Sequence, residues 1–299
     1  RFRAALALAW FARPFARFAP GRIGAMLRLA PASIPPRSPL EGARTHAALG
    51  ARRKRVALLA GCAQQALDPA INEATIRLLT RHGVEVVVAR GAGCCGALVH
   101  HMGRAEEGHA AARANVAAWM AEVEGEGLDA VVINASGCGT SVKDYGFMLR
   151  NEPEWAEPAA RISAMTRDIV EFMAEVGLAD PKPPEPLRVA YHSACSMQHG
   201  QGLKDEPKAL LEDAGFRVTT PAEAHLCCGS AGVYNIMQPA IAGRLKARKA
   251  GNLDKLGADV VAAGNIGCIA QLRGAVAAPV VHTVELLDWA TGGPKPARL

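Results

Sequence analysis

The stretch HGVEVVVARGAGCCG, His82 to Gly96, places a run of β-branched residues just before a glycine-rich segment and two adjacent cysteines. The run 84–89 has the composition of a buried β-strand. The same order of features returns in AGFRVTTPAEAHLCCG, Ala214 to Gly229. A strand followed by Cys-Cys-Gly is therefore a repeated unit of this chain.

The repetition extends to the other cysteines. They fall at 62, 94, 95 and 138 and again at 195, 227, 228 and 268, so the 32-residue spacing from 62 to 94 recurs from 195 to 227. The segments RVALLAGC (55–62) and GLDAVVINASGCG (127–139) match RVAYHSAC (188–195) and GADVVAAGNIGCI (257–269) in the same order. We interpret these matches as an internal duplication of about 130 residues, long enough for each copy to form a domain.

Each copy alternates predicted strands and helices. In the first copy, strands are predicted at 56–61, 84–89 and 129–134, with helices at 69–82, capped by Asp68 and stopped by Gly83, and at 104–122. In the second copy, strands are predicted at 189–192, 216–219 and 259–263, with helices at 207–214 and 239–256. This alternation predicts an α/β fold of two duplicated, Rossmann-like domains, each a parallel sheet covered by helices.

The predicted domain boundaries follow the repeat. We assign residues 1–48 to an N-terminal basic helix and a Pro-rich linker, 49–186 to the first domain and 187–299 to the second. Proline-rich stretches at 31–43 and 179–187 support both boundaries.

Four of the cysteines, at 62, 138, 195 and 268, come just after the carboxyl ends of predicted strands. The Cys-Cys-Gly triplets follow the middle strand of each copy after a short loop. Because the carboxyl ends of parallel strands meet at one edge of the sheet, each copy can gather its four thiols in one place. We expect Gly96 and Gly229 to let the backbone approach a bulky centre there.

Four converging thiols allow several kinds of chemistry. A vicinal disulfide between Cys227 and Cys228 would leave Cys195 and Cys268 unexplained. Structural zinc suits four thiolates, but the usual C-x₂₋₄-C knuckles do not occur. Buried apolar cysteines are common singly, yet they explain two duplicate quartets poorly. An iron–sulfur centre accommodates adjacent thiolates on different irons of one cluster, and we favour it.

The segments CCGALVHHMG, NASGCGTSVKDYG, YHSACSMQHGQ, CCGSAGVYNIMQP and AGNIGCIAQL resemble a known family. The Cys-Cys-Gly triplets are similar to the cysteine-rich CCG domain of heterodisulfide reductase subunits. The longer segments resemble the iron–sulfur subunit of glycolate oxidase, also called glycolate dehydrogenase. The resemblance runs from about Arg55 to about Ala290.

The resemblance implies a non-catalytic electron carrier. In this family, a flavin-binding subunit oxidises glycolate to glyoxylate, and the iron–sulfur subunit passes electrons towards a membrane quinone. It implies one cluster of the 4Fe-4S type in each CCG domain, with the flavin in the partner subunit. By this resemblance the metal-binding residues are Cys62, Cys94, Cys95 and Cys138 for the first cluster and Cys195, Cys227, Cys228 and Cys268 for the second.

Two departures from the family pattern bear on the clusters. The wider family ends each repeat with C-x-x-C, whereas this chain has Ala135 and Asn265 three residues before the last cysteine of each repeat. A four-thiolate cluster is therefore expected rather than one with five cysteines. Relatives also carry an N-terminal ferredoxin-like domain with C-x₂-C-x₂-C-x₃-C-P runs, which do not occur here, and we expect a truncated chain or an incomplete sequence.

Several histidines accompany the cysteines. His192 and His199, in YHSACSMQHGQ, are the candidates to bind the cofactor by hydrogen-bonding its sulfurs. Imidazole can also ligate iron, and a purely structural role is the alternative for each. We find no nucleotide-binding motif and no paired carboxylates for acid–base catalysis.

The charge pattern concerns partners and location. The chain has 34 Lys and Arg against 28 Asp and Glu, a formal net charge of +6, with arginines frequent in the first thirty residues. No nucleic-acid motif accompanies them, and the apolar run 4–12 is too short to span a bilayer. We expect a cytoplasmic protein whose basic helix packs on the core or on a partner, with peripheral contact at the inner face of the plasma membrane as the alternative.

Overall fold

In the computed structural model, which describes residues 2–31, 33–183 and 185–299, the strands form two sheets, one for each copy of the repeat. The strands are β1 (Arg44–His46), β2 (Lys54–Leu58), β3 (Val84–Val88), β4 (Ala130–Ile133), β5 (Thr166–Asp168), β6 (Arg188–His192), β7 (Arg217–Thr219), β8 (Val260–Ala263) and β9 (Val280–His282). Over these described ranges the strand orders are β1-β3-β2-β4-β5 and β7-β6-β8-β9. Without β1 the two orders are identical, so the duplication in sequence is also a duplication of topology.

The helices lie between the strands, as the alternating pattern predicts. They are α1 (Phe2–Ala12), α2 (Gly21–Leu29), α3 (Gln64–Leu67), α4 (Ala70–Arg81), α5 (Ala97–His101), α6 (Ala105–Glu124), α7 (Ser136–Lys143), α8 (Tyr145–Met148), α9 (Ala156–Met165), α10 (Ile169–Val176), α11 (Glu206–Asp213), α12 (Tyr234–Met237), α13 (Pro239–Asp254), α14 (Ile266–Leu272) and α15 (Thr283–Ala290). Short 3₁₀ turns occur at Arg13–Phe15 and Pro39–Glu41, and a π-helix occurs at Ser196–Gly200.

The hydrophobic core covers both faces of the first sheet. Along β2, Val56 and Leu58 pack into one cluster of buried residues, whereas Ala57 and the following Leu59 pack into another. This division follows from the strand period of two, which sends alternate side chains to opposite faces. The predicted α/β architecture of parallel sheets covered by helices is confirmed.

The central strands are parallel, and the exception lies at one edge. Strand β1 pairs antiparallel with β3, with Arg44 opposite Val88, while the remaining pairs in the described sheets are parallel. Residues 44–46 fall in the segment predicted to be linker, so β1 is an addition to the prediction. The fourth strands, β5 and β9, are additions as well.

Two local predictions are wrong in detail. The single basic N-terminal helix is divided into α1 and α2, because Pro14 and Pro20 interrupt the backbone hydrogen-bonding pattern between them. Asp68 does not cap α4. Pro69 occupies the cap position, and the Asp68 carboxylate instead pairs with Arg273 in the second repeat. Gly83 does follow the end of α4, with a φ of 76°, as predicted for a helix stop.

The two repeats pack closely against each other. Asp288 on α15 is buried and forms ion pairs with Arg77 at 2.7 Å and Arg81 at 2.8 Å, both on α4. At the ends of the strands, the Ser136 amide donates to the Gly264 carbonyl at 3.1 Å. One continuous hydrophobic cluster includes residues from both sheets. The carboxyl edges of the two sheets therefore lie next to each other.

The N-terminal helices pack beside the second repeat, where α2 contacts α12 and α13. None of the helices in the described ranges combines the length and the apolar character that crossing a membrane requires.

Candidate metal centres

The first thiol quartet lies at the carboxyl edge of the first sheet. Cys62 occupies the turn after β2, Cys94 and Cys95 occupy the loop before α5, and Cys138 lies in the first turn of α7. The Cys62 thiol interacts with Cys94, and the Cys95 thiol interacts with Cys138 and Cys94. The four thiols that the sequence predicts to gather are thus brought together.

The second quartet repeats this arrangement. Cys195 begins the π-helix after β6, Cys227 and Cys228 precede α12, and Cys268 lies on α14 after β8. The sulfur atoms of Cys195 and Cys227 are 4.0 Å apart, and the Cys228 thiol interacts with Cys227 and Cys268. All eight cysteines are free thiols, so neither Cys-Cys pair is a vicinal disulfide here.

The backbone conformation and the packing explain why the third residue of each Cys-Cys-Gly triplet is glycine. Gly96 and Gly229 have φ values of 79° and 87°, in the region that favours glycine. A Cβ atom on Gly96 would lie 2.9 Å from the Gly108 carbonyl oxygen on α6. On Gly229 it would lie 2.5 Å from the Ala242 carbonyl oxygen on α13. Glycine is therefore required at both positions by the close approach of the backbone to the following helix.

This backbone turn also directs an amide at the first thiol of each pair. The Gly96 N–H donates to the Cys94 sulfur at 3.4 Å, and the Gly229 N–H donates to the Cys227 sulfur at 3.3 Å. Hydrogen bonds from Cys62 and then Cys95 lower the pKa of Cys94, with the amide of Gly96 adding to the effect. Cys195, Cys228 and the Gly229 amide lower the pKa of Cys227 in the same way. Because the thiolate is the form that binds metal, this pKa shift favours the metal-binding form of Cys94 and Cys227.

The first cysteine of each quartet has the opposite pKa shift. The hydrogen bond with Cys94, together with burial, raises the pKa of Cys62, and the bond with Cys227 does the same for Cys195. A cation bound among these thiols would displace their protons, because the thiolate is the form that binds metal.

His192 and His199 differ in their surroundings. His192, at the end of β6, is buried, and its ligating nitrogen and the sulfurs of Cys228 and Cys268 all lie within 4.8 Å of one another. Over the described ranges, neither ring nitrogen of His192 makes a regular hydrogen bond. His199 is exposed in the π-helix. The structure brings His192 to the second quartet, whereas the exposed His199 has no comparable position beside the thiols.

Two residues that the sequence did not single out lie on the long helices that hold the Cys-Cys-Gly loops. Asn115 on α6 accepts from the Gly93 amide at 2.7 Å and donates to the Cys94 carbonyl at 3.0 Å. Lys249 on α13 donates to the carbonyls of Glu223 and Ala224 at 2.8 and 3.2 Å. Both side chains are buried. In the sequence, each of these two residues is a polar side chain among helical positions that face the core, and this was the signal that could have identified them.

The donor sets fit a soft, thiophilic metal centre. Each repeat brings its four cysteines to one edge of its sheet, and in the second repeat a ring nitrogen of the buried His192 lies within 4.8 Å of the sulfurs of Cys228 and Cys268. In the part of the chain described, the ring nitrogens of His192 make no regular hydrogen bond. Soft thiolate ligands are those selected by iron–sulfur clusters and zinc.

Comparison with known proteins agrees with this geometry. The family described as "Cysteine-rich domain", CCG, matches residues 56–143 and 189–273, one match in each repeat. The chain belongs to this family of cysteine-rich domains.

Among individual proteins, the chain is 36% identical over 289 residues to the glycolate oxidase iron–sulfur subunit of Escherichia coli, covering 97% of this chain and 68% of that protein. It is 31% identical to the probable glycolate oxidase iron–sulfur subunit of Bacillus subtilis, covering 82% of this chain and 56% of the relative. It is 27% identical to lactate utilization protein A of Geobacillus kaustophilus, covering 78% of this chain and 98% of the relative. The resemblance expected from the sequence is confirmed.

A solved structure has the same fold. The crystal structure of a hypothetical protein from Helicobacter pylori matches with a TM-score of 0.54 and 12% identity, covering 85% of this chain and 53% of that one.

Proposed function

We propose that the chain is the iron–sulfur, electron-transfer subunit of a glycolate oxidase-type complex. The observation that carries the proposal is the pair of thiol quartets, each placed at the carboxyl edge of its sheet by the same turn and the same glycine. Similarity to the glycolate oxidase iron–sulfur subunits of Escherichia coli and Bacillus subtilis supports the assignment to glycolate oxidase. The match to lactate utilization protein A supports lactate as the alternative substrate of the complex.

In this proposal, Cys62, Cys94, Cys95 and Cys138 hold one iron–sulfur cluster of the 4Fe-4S type, and Cys195, Cys227, Cys228 and Cys268 hold another. Such clusters, when bound, accept and release single electrons. The role of this chain is to supply the thiolates and to hold the two centres close together. Reaction with glycolate takes place on a flavin in a partner subunit, and the electrons leave towards a quinone.

Hydrogen bonds between the two repeats hold the two quartets near each other. Ser136 lies two residues before Cys138, and its hydroxyl is 2.7 Å from the hydroxyl of Ser196, which directly follows Cys195. The reach of these short chain segments limits the Cα atoms of Cys138 and Cys195 to a separation of at most about 19 Å. Thr140 and Gln201 add hydrogen bonds across the same contact, at 2.9 Å to the Ser196 carbonyl and 3.1 Å to the Ser136 carbonyl.

A contact surface for the partners is available on the N-terminal helices and the turn between them. Phe11, Phe15 and Phe18 are 71%, 64% and 70% exposed. Large exposed apolar patches of this kind are typical of protein interaction sites. We assign this surface to the flavin-binding subunit and place the complex in the cytoplasm, with electron delivery at the inner face of the plasma membrane.

Metal and sulfide analysis tests the proposal directly. Anaerobically purified protein is expected to contain iron and labile sulfide and to give an EPR signal on reduction. Cys95→Ser and Cys228→Ser should each remove only part of the iron, because each variant affects one quartet. The 4.0 Å separation of the Cys195 and Cys227 sulfurs also suits two ligands of a single tetrahedral ion with metal–sulfur bonds of about 2.3 Å. Zinc without labile sulfide would replace the electron-transfer proposal with a zinc-stabilised scaffold.

A further inference from the structure

The two quartets have the same cysteines but different neighbours. His192 lies three residues before Cys195, and the residue in the same place before Cys62 is Leu59, which is buried and apolar. His192 lies against the sulfurs of Cys228 and Cys268. The first quartet therefore has a hydrocarbon side chain where the second has an imidazole.

A second difference occurs beside the last cysteine of each repeat. Asn265, three residues before Cys268, has its side-chain amide 3.5 Å from the Cys268 sulfur. The corresponding residue before Cys138 is Ala135, which has no polar side-chain atom. The position where the wider family has a further cysteine thus contains a hydrogen-bond donor in one repeat and a methyl group in the other.

A third difference is a buried cation. Lys249 and Asn115 each occupy the eleventh position of the helix after Cys-Cys-Gly, and each binds backbone groups of the preceding loop. Lys249 is fully buried; burial lowers the pKa of its amine, and the nearby charges of Cys228 and Cys227 oppose that shift and favour the cation. Asn115 also hydrogen-bonds the backbone of the preceding loop, but its side chain carries no charge.

These three differences have the same electrostatic sign. The Asn265 N–H donor at the Cys268 sulfur, the polar imidazole of His192 near the sulfurs and the buried Lys249 cation each favour the more negative, reduced state of a metal–thiolate centre, and burial strengthens each effect. We propose that His192, Asn265 and Lys249 raise the reduction potential of the second centre, a device that the first centre lacks. The two centres are then electronically distinct despite equal cysteine sets. This inference rests on the proposed function, because it requires both quartets to hold redox-active clusters.

Exchanging each residue for its counterpart in the first repeat tests the inference. The measurement is a mediated redox titration, followed by EPR, of the purified protein with its clusters in place. His192→Leu and Asn265→Ala should each lower one of the two potentials, and Leu59→His should raise the other. We expect about a tenfold change in the reduced-to-oxidised ratio at a fixed potential, which corresponds to about 59 mV for a one-electron couple. The exposed His199→Leu is the matched control and should move neither potential.

Folding and metal content are checked first, by thermal unfolding and by iron and sulfide analysis. If His192→Leu does not retain its clusters, Asn265→Ala and Lys249→Asn carry the test, and His192→Gln, which keeps an N–H donor, should restore most of the potential. Unchanged potentials in cluster-containing variants, or equal shifts of both centres, would overturn the inference and leave the proposed function intact. A wild-type protein without iron and sulfide would instead overturn the proposed function.

Discussion

Replacing Gly229 by alanine perturbs the second quartet through the backbone alone. Gly229 follows Cys228, has a φ of 87°, and lies against the Ala242 carbonyl of α13. The substitution adds one methyl group and no polar atom. Any effect on metal content must therefore come from the position of the Cys-Cys-Gly loop.

The cost has two parts. An L-residue in the left-handed region costs about 1–2 kcal/mol. A Cβ atom 2.5 Å from a backbone oxygen forces a shift of the kind that costs about 1–3 kcal/mol when a packed site is overfilled. Together they predict a destabilisation of roughly 2–5 kcal/mol, or a melting temperature lowered by roughly 4–20 °C at about 2–4 °C per kcal/mol. Gly96→Ala should cost less, because the nearest backbone oxygen would be 2.9 Å away.

Gly243→Ala is the matched control, because Gly243 lies on the same helix, one residue after Ala242, and a methyl group there would meet no atom of another element within 4 Å. Alanine there should stabilise the helix by about 0.5–1 kcal/mol. The assay is thermal unfolding followed by circular dichroism, with metal analysis of each purified variant. A Gly229→Ala protein that melts with the wild type and keeps its full metal content would refute the reasoning.

Two further predictions concern stability and assembly. Burial raises the pKa of Asp168, the N-cap residue of α10, to about 7. The folded state therefore retains a proton that the unfolded state releases near pH 4. The free energy of unfolding falls as pH rises from about 4 to about 7, because that proton is then lost from the folded state. Urea unfolding should therefore show Asp168→Asn gaining stability relative to the wild type between pH 5 and pH 8. The expected gain is ~1–4 kcal/mol, at about 1.4 kcal/mol per pKa unit. A stability difference that does not change with pH would contradict this assignment. The double variant Phe15→Ser, Phe18→Ser should weaken co-purification with the flavin-binding subunit. Phe147→Ser, at another exposed phenylalanine, is the control and should not. If the double variant loses binding to anionic vesicles but still associates with the subunit, the surface is a membrane contact instead.

The sequence predicts the central strands and the gathering of thiols because both depend on short-range patterns. Buried β-branched runs define the strands, and parallel topology brings their carboxyl ends together whatever the details of packing. Strands β1 and β5 are only three residues long, which is too short to give a periodic signal. The role of Asp68 depends on Arg273, about two hundred residues away in sequence, so a local capping rule assigns it wrongly.

The surroundings of the two quartets are harder to predict from the sequence than the quartets themselves. The shared order and similar spacing of the cysteines predict similar centres. The spacing does not show which side chains approach the sulfurs from neighbouring strands and helices. Leu59 and His192 are aligned by the repeat itself, so this difference was visible in the sequence once the copies were matched. For Lys249 the sequence offers only a polar residue among core-facing helical positions, whereas the structure shows its amine buried against the loop carbonyls of Glu223 and Ala224. In the function we propose, both copies keep the four cysteines that hold a cluster. Substitutions around those cysteines then change the electrostatics of one cluster, so the two reduction potentials differ without a change of cysteine ligands.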